Sequence, residues 1–330
     1  MRKILFFVTL IIFLPSVLSC THADDHLEEY SVEISRVVAD SATMKDSSSN
    51  DSSSKVVIVK DTIKLSYEMF MRLTPTVNSS QGSACYGKYF LQCYSGNNFI
   101  EVFDLEEKKY VCKITNPHPG NKTHANTAFF GNQRISPDDF FPLLYICSGY
   151  TTNKNSFIHA YRIIKYENAD GTDGWNAEYV YTITLKGFGS WTEGVIDQTN
   201  NILWVKDEPN GTEGEYHYTS FQMPEYEDGN VTINKENAIT LFALEKQPFK
   251  SSNQGHLFHD NKILLVSGTS YTEQKLAFIV INTLTQTREL VIDLAEIGLI
   301  GEPESVFYYK DQLMIGYRGA VYKFNLYPNK

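Results

Sequence analysis

Polar side chains that could bind a ligand recur along this chain, each just ahead of an apolar run. They are two carboxylates, two amides and an imidazole, at Gln81, His124, Glu193, Gln254 and Glu304. Gathered in one place, such groups could bind a polar ligand or a cation. Further polar and aromatic residues lie close by in sequence, namely Asn126, Trp191, Asn253, His256 and Glu302. The indole of Trp191 could stack on a sugar ring.

The same residues have a structural interpretation, which the sequence leaves open. Polar side chains at strand starts can satisfy backbone groups of neighbouring elements or hold water. His124 is the strongest single candidate for chemistry, because the other copies open with a glutamine or a glutamate, followed by glycine in three of them. An imidazole can act as a base or as a metal ligand, but a catalytic base needs an orienting partner and none is evident. We therefore assign no catalytic residue.

No metal site is assigned either. His256 and His259 are three residues apart on a strand-like run, so they should point to opposite faces. The acidic residues follow no EF-hand spacing. We expect no bound cofactor. Calcium is the one ion whose binding the acidic candidate residues leave open.

The candidate residues open a unit that recurs along the chain. Each copy has a polar residue, a small residue, an apolar strand, a polar turn and a second apolar strand. The copies begin near residues 81, 124, 193, 254 and 304. A supersecondary unit repeated at tens of residues indicates a propeller or a solenoid. Extra loop residues are expected at 132–140 and 207–230.

The last copy is short and leaves room for only three strands before the end of the chain. Two apolar strand-like runs at 55–70 precede the first copy and are available to complete it. Ring closure of this kind protects exposed strand edges. The sequence therefore predicts an all-β domain over 55–330, a single β-propeller of five four-stranded blades closed by an N-terminal strand.

Bulk composition excludes some classes of protein. The 330 residues carry a formal net charge of −10, which argues against a nucleic-acid binder. Four cysteines, Cys85, Cys93, Cys112 and Cys147, lie in apolar runs without paired spacing. We expect them to be free thiols, and the absence of C-x-x-C argues against a zinc ribbon. We expect a monomer.

The first residues are typical of an export signal. Positive charge at Arg2 and Lys3 precedes an apolar run over 4–18, which is too short to span a membrane. The run ends Val17-Leu18-Ser19-Cys20, which resembles a bacterial lipobox. That resemblance implies a signal peptide over 1–19 and a lipid on Cys20; an ordinary secretory signal is the alternative. The acidic residues after Cys20 resemble the surface-export signals of Bacteroidetes lipoproteins.

A Ser- and Asp-rich stretch follows at 46–54 and cannot bury enough apolar surface to order itself. We interpret 20–54 as a disordered tether with a short structured piece at 30–38. The expected location is the bacterial cell envelope, with the protein lipid-anchored to the outer membrane and open to surface exposure. The lipid would be the only contact with the membrane.

A family resemblance rests on three features. These are the Gln-Gly openings of the units, the start His124-Ala125-Asn126, and the run Phe141-Pro142-Leu143-Leu144-Tyr145 followed by Ala160-Tyr161-Arg162-Ile163. In these features residues 55–326 resemble β-propeller lipoproteins of Bacteroidetes type and the TagC-like and phage receptor-binding propellers. The resemblance implies binding of glycans or cell-surface polymers. It supplies no catalytic residue.

Three hypotheses of function follow from the sequence. The first is a lipid-anchored propeller that binds a glycan or cell-envelope polymer at the channel mouth. The second is a polysaccharide lyase or hydrolase that uses His124 and a mouth carboxylate. The third is a protein-interaction scaffold whose contact surface lies on the loops at 132–140 and 207–230.

Overall fold

β-Strands make up nearly all regular structure in the computed structural model, which describes residues 29–39, 56–73, 80–96, 99–115, 124–148, 156–208, 214–245, 253–269 and 276–327. The helices in these ranges are two 3-10 turns, Tyr226–Asp228 and Lys235–Asn237. No helix within the ranges is long and apolar enough to cross a membrane.

The strands form five blades of four antiparallel strands each, and in blades I to IV the strands follow chain order from the inside outwards. Blade I contains β3 (Ser80–Tyr86), β4 (Tyr89–Tyr94), β5 (Phe99–Asp104) and β6 (Lys109–Thr115). Blade II contains β7 (Ala128–Phe130), β8 (Leu144–Cys147), β9 (Ser156–Glu167) and β10 (Asp173–Lys186). Blade III contains β11 (Ser190–Asp197), β12 (Ile202–Glu208), β13 (Glu215–Gln222) and β15 (Thr240–Glu245). Blade IV contains β16 (Asn253–His259), β17 (Lys262–Ser267), β18 (Ala277–Asn282) and β19 (Thr287–Asp293).

Blade V joins the two ends of the described chain. Its inner strands are β20 (Pro303–Tyr309), β21 (Gln312–Tyr317) and β22 (Ala320–Tyr327), and its fourth strand is β2 (Val56–Arg72). β2 pairs with β22 in antiparallel register from Lys64↔Tyr327 to Arg72↔Ala320. The predicted five-bladed propeller, with its last blade closed by an N-terminal strand, is therefore confirmed.

Two blades carry an additional outer strand. β1 (Glu29–Ala39) pairs antiparallel with β2 at the outside of blade V, and β14 (Val231–Asn234) pairs parallel with β10 at the outside of blade II. β1 falls within the segment interpreted as a tether, where the sequence indicated a structured piece at 30–38. Cys20 and the signal segment lie outside the described residues and stay predictions.

One expectation about the loops is wrong. The segment 207–230 was expected to be an extra loop of the third unit, but it contains β13, which pairs with both β12 and β15. Polar residues weaken the apolar pattern of this strand, because His217 and Thr219 alternate with the buried Tyr216 and Tyr218 and Ser220 follows them. The other expected insertion, 132–140, does lie in irregular chain between β7 and β8.

The apolar core is divided into five layers, one between each pair of neighbouring blades. Successive side chains of a strand point to opposite faces of the blade, so each strand contributes to two layers. Phe90 of β4 packs between blades V and I, whereas Leu91 packs between blades I and II. Because both faces of each blade are buried, the inner strands are apolar on both sides. The four predicted thiols are free, as expected.

Candidate functional site

The starts of the inner strands gather at one mouth of the central channel. In four of these strands the pairing register shifts at this end. The shifts lie between Ser80 and Ser83 in β3, Ser190 and Glu193 in β11, Asn253 and His256 in β16, and Pro303 and Ser305 in β20. Bulges of this kind redirect side chains at the ends of pairing. By register, the residue of β16 equivalent to Glu193 of β11 is His256. The sequence pattern of the repeats had indicated Gln254 instead.

The channel is narrow at this level. Cα atoms of β16 lie within 8 Å of Cα atoms of β3 and β7, although neither strand is its neighbour in the ring. Six of the predicted site residues are at most 6% exposed, namely Gln81, Asn126, Glu193, Gln254, His256 and Glu304. We call these six the buried ring. His124 and Trp191 are partly exposed at its outer edge.

One network in the buried ring joins blades II, III and IV. Asn126 Nδ2 donates to Glu193 Oε1 at 3.0 Å, and Glu193 Oε2 lies 3.6 Å from both Lys206 Nζ and His256 Nδ1. Lys206 Nζ also contacts Glu208 Oε1 at 3.2 Å. A buried ammonium is stable only with such compensation, so Lys206 and its carboxylates form a unit.

A second network lies at blades IV and V. Gln254 Nε2 donates to Glu302 Oε1 at 3.0 Å, and Glu302 Oε2 accepts from Arg318 Nη2 at 2.6 Å. Arg318 Nε donates to Glu304 Oε1 at 3.0 Å. Both carboxylates are buried, whereas the Arg318 side chain is 41% exposed.

Five polar atoms of the buried ring have no hydrogen-bond partner among the described residues. These atoms are Gln81 Oε1, Asn126 Oδ1, Glu193 Oε2, His256 Nε2 and Glu304 Oε2. His256 belongs here because its Nδ1 must carry the proton that it donates to Gln254 O at 3.0 Å, which leaves a lone pair on Nε2. An unpaired buried acceptor costs about 1–3 kcal/mol, so small donors such as hydroxyl groups would be stabilised here.

The partly exposed edge of the ring is formed by His124 and Trp191. Their ring centroids are 5.5 Å apart, and His124 Nδ1 lies 3.0 Å from Ser95 Oγ of the β4–β5 loop. Trp191 has φ 52°, in the left-handed region that bulky residues avoid. Lys206 Nζ donates to Trp191 O at 3.4 Å, so the buried network holds the strained residue in place. We call Ser95, His124, Trp191 and Arg318 the rim.

Arg318 and Lys206 were missed by sequence reasoning. Arg318 occupies the β21–β22 turn, and its charge contributes to lowering the pKa of His124 on blade II. A turn arginine is ordinarily a solvated residue, so no local signal marked it. Lys206 carries a sequence signal, because it directly follows the apolar run Leu203–Val205 on the same strand. A lysine in such a strand is almost never fully buried unless it is paired with a carboxylate.

Burial shifts the proton affinities of the ring. Desolvation raises the pKa of Glu193 to about 7 against the pull of Lys206. Desolvation and the neighbouring Glu302 carboxylate raise the pKa of Glu304 well above its usual range. Burial and Lys206 lower the pKa of His256 to about 3, and burial with Arg318 lowers that of His124. Both imidazoles are therefore neutral at pH 7, and the shift at Glu304 favours its protonated form.

Metal binding finds little support at this mouth. Across the described ranges, no group of three or more His, Cys, Asp or Glu side chains is arranged to hold a metal ion. The two cations, Lys206 and Arg318, also lie beside the mouth carboxylates. A calcium ion there would meet their repulsion.

Comparisons with known proteins find similar shapes only. No protein-family model matches the chain, and no curated protein matches it. Aldose sugar dehydrogenase from Streptomyces coelicolor, in its PQQ-bound form, is 8% identical and gives a TM-score of 0.47 over 79% of this chain and 98% of that one. Glutaminyl cyclase from Myxococcus xanthus is 13% identical, with a TM-score of 0.43 over 80% and 97%.

Streptogramin B lyase is also similar, with 11% identity and a TM-score of 0.39 over 79% of this chain and 98% of that one. Identities and scores this low support no transfer of activity. The molecule is a five-bladed β-propeller with a buried polar ring and a partly exposed rim.

Proposed function

We propose that this propeller binds a glycan or cell-envelope polymer at the rim of its channel mouth. The observation that carries the proposal is the ring contact of a partly exposed Trp191 with His124, whose pKa the charge of Arg318 helps to lower. Aromatic faces and a few fixed polar groups are the usual means of orienting a ligand.

The backbone of Trp191 supports a functional role. A tryptophan with φ 52° is strained, and strain of this kind costs on the order of 1–3 kcal/mol. Such residues persist where the surroundings hold them and are often found at ligand sites. Here the hydrogen bond from Lys206 to the Trp191 carbonyl supplies that support. In this conformation Trp191 is partly exposed and contacts the ring of His124.

The buried ring favours a hydroxylated ligand over a cation. Gln81 Oε1, Asn126 Oδ1 and His256 Nε2 can only accept hydrogen bonds, so an occupant that reaches them must donate. Sugar hydroxyl groups donate without carrying a charge, and Lys206 and Arg318 disfavour a positive occupant. The ring is nearly sealed, so we expect it to receive a single hydroxyl at most, with the rest of the sugar on the rim.

Binding is a better account of His124 than catalysis. A base in a polysaccharide lyase or hydrolase is normally oriented by a carboxylate. Among the described residues, His124 is hydrogen-bonded to Ser95 and to no carboxylate. His124 is therefore assigned to ligand contact in this proposal.

The location proposed for this activity is the bacterial cell envelope. The lipobox-like Val17-Leu18-Ser19-Cys20 supports a lipid on Cys20 and anchoring to the outer membrane. The resemblance to TagC-like and phage receptor-binding propellers supports a cell-surface polymer as ligand. Incorporation of a radiolabelled or clickable fatty acid that is lost in Cys20→Ala would test the anchor.

The direct test is a glycan array followed by titration calorimetry with Trp191→Ala. We expect the wild-type protein to bind, and the variant to bind about tenfold more weakly because an aromatic contact is lost. Tyr166→Ala is the control, since Tyr166 is an exposed aromatic residue of the β9–β10 hairpin. An array without any bound glycan, or equal affinity in Trp191→Ala, would overturn the proposal.

A further inference from the structure

Arg318 differs from an ordinary surface arginine in how firmly it is held. Two of its nitrogens are engaged by carboxylates, Nη2 by Glu302 at 2.6 Å and Nε by Glu304 at 3.0 Å. Both carboxylates are themselves buried, to 4% and 1% exposure of their side chains. Gln254 holds Glu302 in turn. The guanidinium is therefore fixed in direction before any ligand arrives.

The fixed guanidinium keeps one nitrogen for a further partner. Nη1 has no hydrogen-bond partner among the described residues, and the side chain as a whole is 41% exposed. Arginine's planar fork suits carboxylate, sulfate and phosphate groups. Preorganisation by the two glutamates reduces the entropy lost when such a group binds.

The local charge permits an anion despite two neighbouring carboxyl groups. Burial and the neighbouring Glu302 carboxylate raise the pKa of Glu304 well above its usual range, which favours its neutral form. This shift lessens the negative charge beside Arg318. The net charge of −10 repels an acidic polymer at long range, but screening confines that repulsion to about 8 Å at physiological ionic strength.

The position of Arg318 connects it to the proposed sugar contact. Its charge acts on His124, which is in ring contact with Trp191. We infer that the glycan bound at the rim is acidic, with an anionic substituent of the sugar seated on the free edge of Arg318 while the sugar face contacts Trp191. This inference rests on the proposed glycan binding and specifies its ligand class.

The test compares an acidic polymer with its neutral counterpart. Polygalacturonate and carboxyl-reduced polygalacturonate share backbone and linkage but differ in the carboxylate. We expect the wild-type protein to prefer the acidic form, and Arg318→Met to bind it about tenfold to a hundredfold more weakly while binding of the neutral form is unchanged. Lys310→Met is the control, because Lys310 is an exposed cation on the β20–β21 turn, at the opposite end of blade V from Arg318.

A second variant guards against misfolding of Arg318→Met, which removes a positive charge from beside two buried carboxyl groups. Arg318→Lys keeps a cation there but lacks the planar fork, so it should still prefer the acidic polymer, with an affinity between those of the wild type and Arg318→Met. Equal affinity of the wild type for both polymers, or an Arg318→Met variant that loses both equally while still folded, would overturn the acidic ligand class alone. Binding of neither polymer, with an empty glycan array, would overturn the proposed function and this inference together.

Discussion

At the residue scale, the buried carboxyl of Glu193 links the ring to the rim. It contacts Asn126 of blade II and lies 3.6 Å from Lys206, which holds the carbonyl of Trp191. The residues that the sequence singled out as ligand-binding candidates therefore divide into two roles. Glu193 and its partners support the rim from the buried side, whereas His124 and Trp191 lie partly exposed on it.

Glu193 should make stability depend on pH. Its pKa is about 7 in the folded chain and 4.5 ordinarily, so between these values the folded state holds a proton that the unfolded state releases. This contribution is complete below pH 4.5 and lost as the pH rises through 7. Glu193→Gln cannot ionise. The free energy of unfolding of the variant minus that of the wild type should therefore rise over this window and then stay level.

Urea denaturation at a series of pH values measures this difference. The pKa of His256 is lowered from 6.5 to about 3, so its contribution to stability has the opposite pH dependence. That contribution is lost as the pH falls below 6.5. Its effect is common to both proteins and largely cancels. Glu178→Gln is the control, because that carboxylate is 51% exposed. Parallel stability curves for Glu193→Gln and the wild type would contradict the prediction.

At the element scale, the Gln-Gly openings have a packing cause. A Cβ on Gly255 would lie 2.3 Å from Ser305 Cα and 2.8 Å from Glu304 O, so β16 and β20 approach too closely for any side chain. A Cβ on Gly82 would meet the backbone at Thr127 in the same way, at 2.6 Å. The small residue of the repeated unit is therefore a requirement of strand approach at the ring.

Gly255→Ala should destabilise the protein by about 1–3 kcal/mol, because backbone atoms of β20 would have to move. Gly174→Ala is a matched control. Its Cβ would also meet a neighbour, 2.2 Å away, but that neighbour is the ring of Tyr166, which is 49% exposed and can turn aside. Denaturant unfolding compares the two. Equal losses of stability would show that the approach of β16 to β20 is not the limiting contact.

At the scale of the whole molecule, β2 closes the ring. Its Leu65 is fully buried in the layer between blades IV and V, and Tyr67 Oη donates to Ile297 O at 2.9 Å. Five apolar layers then run without interruption around the channel. Opening one blade would expose an edge strand and loosen the two layers beside it.

Leu65→Ala should therefore lower the free energy of unfolding by about 2–5 kcal/mol, as a large-to-small change in a packed layer. Met69→Ala on the same strand is the control, because Met69 is 45% exposed and its truncation should stay within about 0.5 kcal/mol. Denaturant unfolding followed by tryptophan fluorescence is the measurement. A loss in Leu65→Ala no greater than in Met69→Ala would mean that β2 contributes little to closure.

The sequence by itself determined the architecture. Apolar runs of strand length, turns between them and a short last copy were enough to predict five blades and closure by an N-terminal strand, because local periodicity and a repeated unit set which residues pair. The sequence did not reveal β13, because histidine and threonine alternate with tyrosines there and the apolar pattern is weak.

Only the tertiary structure decided which polar residues are sealed and which are open. Gln254 and His256 look alike as polar residues before an apolar run, but the bulge in β16 matches His256 with Glu193. Arg318 carries no local signal, since its role arises when the β21–β22 turn comes to lie beside Glu302 and Glu304 and within reach of His124. Burial, charge pairing and pKa depend on neighbours that are distant in sequence, and closing the ring is what brings them together.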